Sequence, residues 1–133
     1  MASNVFSAPP RVIGQWPEGP HGVIRELTAD GNTLYADVGG GIVVLDVADP
    51  AKTRAIRTLG DESTRARVAG PYLSLCGANG LRLLDMQNRA APAEISRIDG
   101  NIAAVVWTWP FAYVQDVQTG KLAIYDFTDA AHP

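Results

Sequence analysis

Three stretches of the chain end alike: Gly41-Ile42-Val43-Val44-Leu45-Asp46-Val47, Gly80-Leu81-Arg82-Leu83-Leu84-Asp85-Met86 and Lys121-Leu122-Ala123-Ile124-Tyr125-Asp126-Phe127. Asp85 follows Asp46 by 39 residues and Asp126 follows Asp85 by 41, so the chain carries an internal repeat of about 40 residues. Such a unit, made of short apolar strands, cannot bury its own faces and needs a neighbour on each side. The repeat therefore dictates an architecture, and it dictates no chemistry.

Around each aspartate the same order of β-like segments recurs, bounded by Gly, Pro or Asn and with no apolar stripe of helical period. The first segment of each unit is read as residues 23–29, 64–69 and 102–108, and the second as 34–37, 73–76 and 112–115. Tight turns at Gly39-Gly40-Gly41, Gly77-Ala78-Asn79-Gly80 and Gln118-Thr119-Gly120 lead into the strand that carries the aspartate. A fourth segment follows the first two aspartates, over 54–59 and 93–98, and none follows the third. Instead Arg11-Val12-Ile13-Gly14-Gln15-Trp16, near the start, matches Arg54-Ala55-Ile56-Arg57-Thr58-Leu59.

The expected class is all-β, with three four-stranded blades of a β-propeller. Residues 1–10 are read as an extension, 11–16 as an orphan outer strand, and 23–59, 64–98 and 102–133 as the blade repeats. Propellers close with roughly 4 to 8 blades and use an offset reading frame so that one end of the chain completes the blade begun by the other. Three blades fall short of a ring. Two copies give six blades and leave no open strand edge, so a homodimer is expected, with a homotrimer as the second choice.

These segments resemble the LVIVD-repeat family, whose units run Gly, four apolar residues, Asp-Val-Ser-Asp-Pro and a later Pro; Gly41 to Pro50 carries the likeness most fully. Arg25-Glu26-Leu27 is similar to the family's Arg-Asp-Val, and Asp49, Asn88 and Asp129 match its second acid or amide. Pro50 is replaced by Arg89 and Ala130 in the later units. The resemblance implies a β-propeller of the kind found in larger bacterial or archaeal surface proteins, and it implies no common activity.

Composition narrows the partners. The 133 residues are 47% hydrophobic and 19% charged with a formal net charge of −3, a globular balance without the basic field that nucleic acid requires. Apolar runs are a few residues long, against the roughly 20 needed for a membrane-spanning helix. Met1 to Ser7 has neither the positive flank nor the apolar stretch of a secretory signal, so a cytoplasmic location is expected, or an extracellular one if the chain is part of a surface protein. Cys76 is the single cysteine and is read as inert filling within a strand.

The Asp-x-x-Asp/Asn pairs lack the alternating oxygens and central Gly of a calcium loop and read as corners that bond nearby backbone N–H groups. Gly39-Gly40-Gly41 precedes a strand rather than a helix, which argues for a hairpin over a phosphate cradle. His21 and His132 are the only histidines, and neither has a second ligand or a nucleophile at a useful spacing, so no metal, cofactor or catalytic residue is assigned.

The candidate ligand-binding residues are His21, Arg25, Glu26, Arg65, Arg67, Trp107 and Trp109. The charged ones border the innermost strands, where they either form an anion-binding channel or tie adjacent blades through Arg–Glu pairs. The tryptophans either fill between blades or offer a platform for carbohydrate or peptide. The expected role is a scaffold or binding module for a protein, peptide or glycan. An enzyme with a small molecule in the central channel, and a fragment of a longer propeller with no activity of its own, are the alternatives.

Overall fold

The computed structural model describes residues 8–16, 23–62 and 64–133. Eleven strands form three antiparallel sheets among these residues. The first contains β1 (Glu26–Asp30), β2 (Thr33–Asp37), β3 (Ile42–Asp46) and β4 (Arg54–Leu59). The second contains β5 (Arg65–Ala69), β6 (Tyr72–Gly77), β7 (Gly80–Asp85) and β8 (Ala93–Ile98). The third contains β9 (Ile102–Thr108), β10 (Phe111–Asp116) and β11 (Leu122–Asp126). Strand order follows chain order in every sheet, as short turns between antiparallel neighbours require.

The repeat extends to its irregularities. The register between third and fourth strands shifts between Val44 and Leu45 in the first sheet and between Leu83 and Leu84 in the second, the same place in each unit. Gly41 and Gly80 are also equivalent, and both have positive φ (133° and 89°). A Cβ on either would run into the last backbone carbonyl of the neighbouring fourth strand, at Leu59 or Ile98.

The corners are built as expected. Asp46 accepts from Ala48 N (3.0 Å), Asp85 from Gln87 N (2.9 Å) and Asp126 from Thr128 N (2.9 Å). The second members do the same, Asp49 from Ala51 N (3.1 Å), Asn88 from Ala90 N (3.2 Å) and Asp129 from Ala131 N (3.1 Å). These oxygens are committed to their own turns.

The sheets stack through apolar faces. Tyr35, Ile42 and Val44 of the first sheet pack against Leu73, Leu75 and Leu84 of the second. On the other side of the second sheet, Cys76, Leu81 and Leu83 meet Val105, Val114 and Phe127. Strand alternation explains the division, since neighbouring residues of β6 and β7 point to opposite faces. The second sheet is consequently covered on both sides, and its central strands, β6 and β7, read as largely apolar runs. β1 lies beside β5 and β5 beside β9, so the three first strands form one side of the stack.

The two end sheets differ. On the outer face of the first, Ala36, Val43 and Leu45 are buried under Trp16, Ile24 and Val38. The outer face of the third is open: Val106 and Ile124 are each 62% exposed and Leu122 is 67% exposed. These residues adjoin, because Tyr113 lies opposite both Val106 and Ile124, and Gln115 opposite both Ala104 and Leu122.

Residues 11–16, read from sequence as an outer strand, have no strand pairing in the single chain. They run along the first sheet, with Gly14 against the Pro50 carbonyl and Trp16 on the apolar face. Likewise the first segment of the first unit joins the sheet at Glu26, not at Val23, which is exposed. No helix among the described residues is long and apolar enough to cross a membrane.

Candidate functional site

The first strands bring most of the candidate charges together. Glu26 on β1 and Arg67 on β5 face each other across the first two sheets, with Arg67 Nη2 at 2.6 Å from Glu26 Oε1. This pair raises the Arg67 pKa further above its ordinary value, chiefly through the hydrogen bond to Glu26. The Arg67 guanidinium also donates to the carbonyl of Ala66 (2.8 Å). Of the two readings of these charges, this one is a bridge between sheets.

Arg67 is tied to the third sheet as well. Its backbone carbonyl accepts from Ser74 Oγ (3.1 Å), and the Ser74 hydroxyl oxygen in turn accepts from Trp107 Nε1 (2.8 Å). Ser74 is fully buried, so the indole and the hydroxyl satisfy each other where water has no access. Arg67 thus reaches the first sheet through its side chain, and the third through the Ser74 hydroxyl that its main chain holds.

Arg25 precedes β1 and turns to the end of β2. It donates through Nε (3.2 Å) and Nη2 (3.0 Å) to Asp37 Oδ1, and through Nη2 to the carbonyl of Glu62 (3.1 Å). Asp37 also accepts from Gly39 N (2.9 Å), which holds the glycine hairpin in place. Arg25 therefore clips the first hairpin to the loop that enters the second sheet. Arg65 differs from its neighbours: it is exposed, and it makes no ion pair among the described residues. His21 lies outside the described residues.

Trp107 and Trp109 lie at the other end of the first strands, away from Arg25. Trp107 packs edge-on to Phe127 (ring centroids 5.0 Å apart) and beside Trp109 (5.8 Å). Trp109 in turn stacks obliquely on Tyr72 (5.5 Å) and covers Gly70 in the β5–β6 turn. Trp107 packs between the second and third sheets, while Trp109 caps them and stays 37% exposed. The candidate residues accordingly form two groups, a charged one at the start of the first strands and an aromatic one at their far end.

Sequence reasoning missed two members of these groups. Asp37 was visible as an aspartate two residues before a glycine turn, the same signal that marks the corners. Ser74 was visible as a hydroxyl in Leu73-Ser74-Leu75-Cys76, an otherwise apolar run. Cys76 is buried, and burial pushes its thiol pKa up, away from the reactive thiolate.

The outer edges are tied by a second set of cations. Arg89, which stands where the first unit has Pro50, reaches back to Asp46 Oδ2 (3.5 Å) and Thr33 Oγ1 (3.1 Å) of the first sheet. Arg57 on β4 reaches forward to the carbonyl of Ala90 (2.6 Å). The departure at Arg89 from the repeat pattern is thus a contact between sheets.

No known family and no curated protein matches the chain.

Proposed function

We propose that the chain is a protomer of a closed β-propeller ring built from identical copies, serving as a scaffold or binding module for a protein, peptide or glycan. The observation that carries this reading is the open apolar face of the third sheet. Val106, Ile124 and Leu122 are residues of the kind that fill the two interfaces within the chain, and here they face solvent beside the half-buried Tyr113. A contiguous patch of this sort on a sheet face calls for a cover.

The side-by-side first strands supply the direction of closure, since a ring grows by adding sheets around that side. Two copies make six sheets, within the usual propeller range, whereas three make nine. The resemblance of Gly41 to Pro50 to LVIVD repeats supports the same architecture. Binding rather than catalysis is favoured by the charges: Arg25, Glu26 and Arg67 are engaged with protein partners, and of the candidate residues described Arg65 is the cation with no ion pair, exposed to meet an anionic group on a ligand.

The test is mass in solution. Sedimentation equilibrium of the wild-type chain should give twice the monomer mass, and Ile124→Asp should give the monomer mass with an unchanged circular dichroism spectrum. A wild-type chain that stays monomeric throughout the micromolar range would overturn the ring.

A further inference from the structure

The third sheet differs from the other two at the edge of β11. In the first sheet β4 lies along β3 with Arg54 opposite Asp46, Ala55 opposite Leu45 and Arg57 opposite Val44, so that Ile56 is the bulged residue. In the second, β8 repeats this against β7, with Ala93 opposite Asp85, Glu94 opposite Leu84 and Ser96 opposite Leu83. No strand lies along the outer side of β11 among the described residues. Its outward backbone groups therefore form an unpaired edge beside an open apolar face.

The segment that matches β4 in sequence is elsewhere. Residues 11–16 rest on the first sheet, where Trp16 covers Leu45 and its neighbours. That position suits them poorly. Val12 is 78% exposed and Ile13 is 60% exposed, although the equivalent Ile56 packs against the core between sheets and Ile95 is half-buried. The position also admits only glycine at residue 14, since any Cβ would occupy the space of the Pro50 carbonyl oxygen.

We propose that residues 11–15 of a second copy complete the third sheet along β11, in the register of β4 and β8, and that their place on the first sheet is a latch released on assembly. The proposal rests on the ring reading above and adds its mechanism. The register puts Arg11 opposite Asp126, Val12 opposite Tyr125 and Gly14 opposite Ile124, with Ile13 in the bulge. Arg11 then stands where Arg54 pairs with Asp46 (3.2 Å). Pairing ends short of Trp16, because Lys121 stands where Gly41 and Gly80 let the fourth strand's last carbonyl approach.

Gly14→Ser separates the two places. On the first sheet the new side chain has no room, whereas on β11 the equivalent residues are Arg57 and Ser96, so a side chain is accommodated. Gly14 lies outside every strand, and an unchanged far-ultraviolet circular dichroism spectrum of the variant checks that the sheets are kept. The expected result is faster amide exchange at residues 12–16 in dilute protein, together with at least a threefold lower dimer dissociation constant.

Val12→Cys combined with Tyr125→Cys should yield an interchain disulfide, and Val12→Cys with Ala123→Cys, off register, should not. A dimer whose dissociation constant rises in Gly14→Ser, or that cross-links equally in both registers, overturns the exchange and leaves the ring standing. Wild type and Gly14→Ser that are both monomeric overturn both.

Discussion

Arg67 Nη2 lies 2.6 Å from Glu26 Oε1, and this contact joins the first strands of two successive sheets. Both side chains are about one-third exposed, so water screens the pair and its worth is modest. A double-mutant cycle with Glu26→Gln and Arg67→Met should give a coupling of about 0.5–1 kcal/mol, falling as salt is raised to 1 M. A coupling that is absent at low salt would remove the pair as a link between sheets.

The Trp109 indole lies close over Gly70, between the second and third sheets. Gly70 has φ +56°, and a Cβ there would stand 2.6 Å from the indole ring. Gly70→Ala combines a left-handed backbone penalty with a displaced tryptophan, and should cost about 2–3 kcal/mol in urea unfolding. Near-ultraviolet circular dichroism should change with it. A loss below about 0.5 kcal/mol would mean that Trp109 moves away freely.

Much of this stacking was legible. Residues 54–59, 93–98 and 102–108 form strands with the bounds the pattern assigned, because Gly, Pro and Asp punctuate them on both sides. The corners were legible for the same local reason, as each Asp bonds an amide two residues on. What crosses between sheets was less so. Glu26 and Arg67 are 41 positions apart, and alternation placed them on matching faces without telling a bridge from an open channel.

Residues 11–16 show the same limit. The match to residues 54–59 marks 11–16 as strand-like, but whether they lie on the first sheet or along β11 depends on surfaces that form only after folding. Val23-Ile24-Arg25 was assigned to a strand by its apolar start. Only Arg25 keeps a tie to that path, donating its backbone N–H to the Asp37 carbonyl (2.8 Å) while its guanidinium reaches the Asp37 carboxylate and the Glu62 carbonyl.

The corner carboxylates set the acid limb of stability. Hydrogen bonds from the Thr128 hydroxyl and amide hold the Asp126 pKa below the ordinary carboxylate range, and the Ala48 amide with Arg54 does so for Asp46. The unfolded chain therefore takes up these protons first as pH falls. Their contribution is present above about pH 4 and is lost as pH drops through the lower folded values. Asp126→Asn keeps the turn acceptor, as Asn88 does naturally, and removes the titration. Its melting temperature should lie below wild type at pH 7 and converge with it between pH 4 and pH 2, falling less steeply over that range.

Tyr35 sets the alkaline limb. It is 3% exposed between the first and second sheets, opposite Thr28 and Val44, and burial, with Asp30 adding to it, raises its pKa to about 12. An unfolded tyrosine ionises near pH 10, so the folded state resists losing this proton. The associated stability is complete below about pH 10 and disappears as pH rises toward 12, a difference of roughly 2–3 kcal/mol. Tyr35→Phe removes the titrating hydroxyl from the same ring and should flatten this limb. Ultraviolet titration at 295 nm should correspondingly show one tyrosine ionising later than the others in wild type and none in the variant. Identical alkaline unfolding curves for the two proteins would show that Tyr35 is not the group that titrates.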